Sequence, residues 1–256
     1  MGYGLRIFYL LLSYLYTKAS KVRYMRKRME VAMAVLLLLG ACFFAKEGVG
    51  VIGSMSHQDG GICVVIDAGH GGDDPGKIGI NKVKEKEINL KIATKLKTLL
   101  EGDNIKVVMT RTDDGGLYQQ SSKNQKVEDM RKRCEIVSQA KPVFTVSIHQ
   151  NSYHEESVNG GQVFYYKKSE NGKRLAEIIQ KRFDHVLGEN NRRSAKANDN
   201  YYLLLHVRSP IVIVECGFLS NPKEAALLNT EEYQDRMAWT IHMGIMEYLN
   251  TRQPSV

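Results

Sequence analysis

The chain has no Cys-x-x-Cys pair. Its four cysteines, Cys42, Cys63, Cys134 and Cys216, are scattered, which argues against a cysteine-held zinc site and outlines no disulfide framework. It has no His-Glu-x-x-His run either, so any metal ligands must come from separate segments. No dense Lys/Arg stripe interleaved with aromatics occurs in residues 61–256, which sets nucleic acid aside despite a net charge of +8. The charge is lopsided: residues 1–60 hold eight Lys/Arg against three Asp/Glu, and the rest hold 28 against 25. Nor is there a long apolar run: Leu5–Tyr16 is short, and Val31–Ala45 falls below the ~20 apolar residues that span a bilayer.

The N-terminal excess of positive charge lies beside those apolar runs, where it orients a segment in a membrane. Met25-Arg-Lys-Arg28 followed by Val31–Ala45 is the layout of a secretory signal. We expect residues 1–45 to act as a signal peptide or membrane anchor, with a natural start at Met25. Leu39-Gly-Ala-Cys42 also resembles a bacterial lipobox. Residues 46–60, rich in glycine and polar side chains, read as a linker. Residues 61–252 then form a single catalytic domain delivered across a membrane.

Within that domain, strand-like and helix-like stretches alternate, which predicts an α/β fold with a largely parallel sheet flanked by helices. Val64-Val-Ile66 is a β-branched run of the kind found in buried strands. It gives way to Asp67 and His70 among Gly69, Gly71, Gly72, Pro75 and Gly76, and a glycine-rich polar turn at a strand end is where open α/β sheets place their chemistry. Val143–Ile148 repeats the theme and ends in His149, followed by Gln150, Asn151 and Ser152. Pro210–Val214 is a third such run and ends in Glu215, a carboxylate whose burial costs free energy unless it is paired or coordinating. Helical spacing of Ile88, Ile92, Leu96 and Leu99/Leu100 predicts a helix opening near Glu85 and ending at Gly102. Glu85 and Glu87 both suit the first turn of that helix, where acids complement its dipole. The basic stretch Gly188–Asn200, with Arg192, Arg193 and Lys196, reads as a mobile rim. His57, His154, His185, His206 and His242 read as surface or satisfied histidines.

Two histidines and one acid are a set that holds catalytic zinc while leaving a position for water. A second carboxylate free of the metal can carry a proton from that water to a leaving amine, and Glu215 suits the task.

The combination of Asp67-Ala-Gly-His-Gly-Gly-Asp-Asp-Pro-Gly76, Glu85-Lys-x-x-Asn-Leu90, Thr110-Arg111, Ser147-Ile-His-x-Asn151 and Val214-Glu-x-Gly-Phe-Leu-Ser-Asn221 resembles the zinc-dependent N-acetylmuramoyl-L-alanine amidases of the amidase 3 family. The resemblance covers about residues 62–250. Within the family it points to the sporulation amidases of endospore formers, through a bare catalytic domain behind a short leader and Arg193-x-Ala-Lys-x-x-x-x-Tyr-x-Leu203. It implies a six-stranded sheet, one Zn2+ held by His70, Glu85 and His149, and Glu215 as the catalytic carboxylate. It selects Glu85 over Glu87. The implied substrate is peptidoglycan of the spore cortex, cut between muramic acid and L-alanine in preparation for muramic-δ-lactam. The implied place of action is the space between the forespore membranes. Asn151 and Arg193 are expected to meet substrate, and a lipoprotein activator is implied by the needs of some relatives. A zinc peptidase cutting within the stem and a non-catalytic wall-binding protein on the same fold are the competing readings.

Overall fold

The structure, a computed structural model, describes residues 61–188 and 191–251, together with Met33. The expected leader, the start at Met25, the lipobox and the linker lie outside the described residues. Among the described residues, no helix is long and apolar enough to cross a membrane.

Six strands form one sheet in the order β2-β1-β3-β6-β4-β5. They are β1 (Cys63–Ala68), β2 (Lys106–Met109), β3 (Phe144–Asn151), β4 (Gln162–Tyr166), β5 (Lys196–Asn198) and β6 (Ile211–Phe218). β1 pairs in parallel with β2 and β3, and β3 with β6, whereas β4 runs antiparallel to β6 and carries β5 at the edge. The expected largely parallel sheet is therefore present. The stretch read as a basic rim contributes the short strand β5, and the helix α4 (Tyr202–His206) follows it.

The period-two alternation of strands separates two chemically different faces. Val64, Ile66 and Ala68 of β1, Phe144, Val146 and Ile148 of β3, and Val212, Val214 and Cys216 of β6 all enter the main hydrophobic core. There they meet α1 (Glu85–Gly102), α3 (Glu170–Leu187) and α6 (Glu231–Asn250), with α6 packed between the other two. The alternate positions Asp67, Ser147, His149, Ile213 and Glu215 point the other way. In register, Asp67 lies beside Ser147, Ser147 beside Ile213, and His149 beside Glu215. This second face is covered by α2 (Gln125–Ala140) and α4, with a smaller core of Phe164, Leu203, Leu204, Ile211 and Ile213. The thick face supplies most of the apolar burial. The thinner one leaves a cleft over the strand tips.

Chain signals account for the helix ends that frame this cleft. Asn124 caps α2 by accepting from the Val127 N–H. Asn221 caps the short helix α5 (Pro222–Leu228), whose proline occupies the first turn, where a missing N–H costs nothing.

Candidate metal centre

β1 ends at Ala68, and the Gly69 N–H continues the ladder by donating to Ile148 O at 3.1 Å. Gly69 lies so close to β3 that a Cβ there would come within 2.3 Å of the His149 ring. The next residue, His70, has φ +62°, a left-handed conformation disfavoured for any residue with a Cβ. The loop then curls back through Gly76, whose φ of +66° and whose approach to Glu85 Oε2 and His70 Cδ2 would leave an added Cβ 2.6 Å from each. This path brings the tip of β1 against the first turn of α1, where Glu85 is 2% exposed.

Three side chains converge there. His70 Nε2 lies 3.2 Å from Glu85 Oε2, and His149 Nδ1 lies 3.0 Å from Glu85 Oε1. The two imidazoles meet edge to face at 5.0 Å between centroids. One donor atom from each residue lies within 4.8 Å of the others. A tetrahedral zinc ion with N and O ligands at ~2.0–2.2 Å separates its donors by about 3.3–3.6 Å, a spacing near the two imidazole–carboxylate distances of 3.2 and 3.0 Å. Glu87, two residues on, faces solvent with 51% exposure and pairs with Lys84. The choice between the two acids, open from spacing alone, falls on Glu85.

Electrostatics favour a cation at the same point. Burial disfavours charge on Glu85, but His149 and His70 outweigh it and hold the carboxyl well below the usual range. Its oxygens also accept from the Lys77 N–H at 2.8 Å, the Gln150 N–H at 3.1 Å and Asn89 Nδ2 at 3.2 Å. Burial likewise pulls His70 down, yet its hydrogen bonds with Asp74 and Glu85 win and lift it to about 9. In the metal-free protein the cluster therefore keeps a proton on His70 at neutral pH, and a metal ion takes that proton's place.

Asp74 is the functional residue that spacing did not single out. Its Oδ2 sits 2.8 Å from His70 Nδ1, and that contact with His70 holds its own carboxyl down at about 2. A carboxylate on the second imidazole nitrogen fixes the tautomer and turns Nε2 toward the metal position. The signal was an Asp four residues after a His in a glycine-bent loop, which becomes readable once the loop is known to fold back.

Glu215 stands beside the cluster at 7% exposure, and its Oε2 has no hydrogen-bond partner among the described residues. Burial pushes its carboxyl up to about 7; His149 offsets part of this, and Glu85 adds to it. A buried, unpaired acid that titrates near neutrality is suited to accepting and returning a proton. The cleft over these residues measures about 540 Å³, and Asn151, Tyr118, Met130 and Tyr201 contribute to its lining. Asn151 thus lies where a substrate would pass. Arg193 does not line this cleft: its guanidinium stacks over Phe218 at 4.8 Å and donates to Asn159 O at 3.0 Å.

Comparisons with known proteins relate the whole domain to one family. The family model described as N-acetylmuramoyl-L-alanine amidase matches residues 64–247. The germination-specific N-acetylmuramoyl-L-alanine amidase of Bacillus subtilis is 35% identical over 195 residues, covering 75% of this chain and 81% of that protein. The CwlD amidase from Clostridioides difficile, solved in complex with the GerS lipoprotein, superposes with a TM-score of 0.72 at 39% identity, covering 75% of this chain and 100% of that one. The catalytic domain of CwlV, an N-acetylmuramoyl-L-alanine amidase from Bacillus (Paenibacillus) polymyxa, gives a TM-score of 0.65 at 34% identity, covering 75% and 99% of the two chains.

Proposed function

The chain belongs to the amidase 3 family of N-acetylmuramoyl-L-alanine amidases, and on that premise we propose that it cleaves the amide between muramic acid and L-alanine with one zinc ion held by His70, Glu85 and His149. It is an enzyme of the cell wall, and its substrate is peptidoglycan. The observation that carries the zinc reading is the convergence of three metal-type donors beside a buried acid with an unpaired oxygen.

The donor set fits zinc, which when bound supplies a Lewis acid for the lactyl carbonyl and a lowered pKa for water. The protein's own residues do the rest. Asp74 holds the His70 ring in its ligating orientation. Glu215 takes the proton that water loses as its oxygen bonds to the carbonyl carbon. It then delivers that proton to the amide nitrogen as the C–N bond breaks, leaving a lactyl carboxyl group on muramic acid, whose own proton passes to the freed amine of the stem peptide. Burial lifts this carboxyl in the metal-free protein, and a cation among the three ligands would bring it back toward the ionised form that accepts a proton. Asn151, on the cleft wall, contacts the substrate.

Similarity to a germination-specific amidase and to CwlD supports a finer role in the spore cortex, where removal of the stem peptide prepares muramic acid for δ-lactam formation. That the C. difficile relative was solved with a lipoprotein supports a lipoprotein activator here. Acting on this polymer implies a location outside the cytoplasm, and the similarity to a germination-specific amidase and to CwlD supports the space between the forespore membranes as that location. Residues 1–45 serve as its signal or anchor, with Met25 the natural start, and 46–60 as a linker to the domain at 61–252.

The test pairs zinc quantification with mass spectrometry of products from purified cortex and from vegetative sacculi. The proposal expects bound zinc, intact stem peptides and muramic acid without L-alanine. L-Alanine left on muramic acid identifies a stem peptidase instead, and no product at all identifies a wall-binding protein.

A further inference from the structure

Two buried arginines, Arg111 and Arg133, sit beneath the metal loop; they are 4% and 1% exposed, and their hydrogen bonds go to backbone carbonyls and to Asp67 and Asp129. Burying guanidinium groups this deeply is costly unless their donors are satisfied, so where those donors go is informative. Ala68 O accepts from Arg111 Nε at 2.9 Å and from Arg133 Nη1 at 2.8 Å. Gly69 O accepts from Arg111 Nη2 at 3.0 Å and from Asn89 Nδ2 at 3.1 Å. His70 O accepts from Arg133 Nη2 at 2.7 Å. Three consecutive carbonyls are thus held through the turn that puts His70 in its left-handed conformation.

Arg111 does more. The same Nη2 that holds Gly69 O also donates to Lys86 O at 2.8 Å. Gly69 precedes His70, and Lys86 follows Glu85. One planar group therefore ties the backbone beside one ligand to the backbone beside another, and it does so next to the single-bond supports of Asn89 Nδ2 on Gly69 O and Lys86 Nζ on Gly72 O. Arg133 anchors the assembly from the far side. It pairs with Asp67 Oδ1 at 2.6 Å and Asp129 Oδ2 at 2.6 Å, and Asp67 is itself held by Thr110 at 2.7 Å and Ser147 at 2.5 Å.

Building on the reading of His70, Glu85 and His149 as metal ligands, we infer that Arg111 is a positioning residue, a strut that sets the His70–Glu85 spacing and hence the metal affinity, with Arg133 as its anchor. Every bond of the strut lies within the protein, so it is expected to hold the turn before the ion arrives. Lysine cannot replace it, because an ammonium on a flexible stem lacks the fork that reaches Ala68, Gly69 and Lys86 together.

The test measures zinc dissociation constants by chelator competition, and visible spectra of the cobalt-substituted protein, for the unmodified chain and Arg111→Lys. The strut predicts a dissociation constant at least ~10-fold weaker in the variant, the scale of losses seen when groups supporting metal ligands are removed. It also predicts a shifted cobalt spectrum. A variant that melts earlier when metal-free but binds zinc within twofold of the parent, with an unchanged spectrum, has lost mere structural support and overturns the inference. An unmodified chain that binds no stoichiometric zinc overturns the ligand assignment itself, and the strut with it. Should Arg111→Lys not fold, hydrogen exchange on the unmodified protein decides. Equal protection of residues 69–76 with and without zinc supports a preformed turn, and protection that appears on adding zinc refutes it.

Discussion

Replacing Glu215 by glutamine keeps the size of the side chain and removes its charge. Two consequences follow, with opposite signs. Without an ionisable group, the proton has no carrier from water to the leaving amine, and loss of a positioned general base and acid costs ~10²–10⁴ in rate. That is about 3–5 kcal/mol of transition-state stabilisation. Stability moves the other way in the metal-free protein. Burial raises the Glu215 carboxyl from 4.5 to about 7. The folded state therefore holds its proton more tightly than the unfolded chain does. The carboxyl's contribution to stability falls as pH rises from 4.5 to about 7 and then levels off. The plateau cost is about 3 kcal/mol, an upper figure for a carboxyl with one unpaired oxygen. Metal-free Glu215→Gln should thus resist urea better than the parent at pH 8 by up to that amount, with the gap closing toward pH 4.5. Its zinc content should be normal. Product release from peptidoglycan, zinc analysis and urea melts at both pH values measure all three. Activity within tenfold of the parent, or a variant less stable than the parent at pH 8, would refute the reasoning.

Removing the orienting carboxylate should weaken metal binding without abolishing it: Asp74→Asn is expected to lose ~10–100-fold in zinc affinity and to regain much of its activity in excess zinc, as read by a titration of rate against free zinc. Metal uptake should also be linked to protons. Because His70 is lifted to about 9 in the metal-free protein, close to one proton leaves it with each zinc bound at pH 7, Glu215 at about 7 adds up to roughly half of another, and affinity rises with pH until about 9 is passed. Calorimetry in buffers of different ionisation enthalpy counts the protons, and a count of zero at pH 7 would contradict the assignment.

The parts of the site that could be read from the sequence are the ones that local pattern controls. Three β-branched runs each ended in a polar residue, and because a sheet aligns its strand ends, His70, His149 and Glu215 had to gather at one edge. The choice of Glu85 could not be read from the helix alone, since both acids suit a first turn; it depends on which face meets the β1 tip. Asp74 was hidden because its role exists once Gly76 has bent the loop back. Arg133 and Asp129 sit at helix spacing, but the buried Asp67–Arg133 pair joins residues 66 positions apart, which no local pattern encodes. β5 and α4 are short and polar at their borders, so the pairing of Phe164 with Lys196 and the packing of Leu203 and Leu204 define them rather than periodicity. Arg193 looked like a rim charge because its neighbours are basic, and its stacking on Phe218 depends on a contact across the fold.

All of the chemistry assigned here depends on a single ion sitting among His70, Glu85 and His149. Zinc counted per chain by mass spectrometry, in the purified protein and in His149→Ala after identical dialysis, tests that dependence. One zinc per parent chain and almost none in the variant is the expected result; a variant that retains its full complement of zinc would place the metal elsewhere.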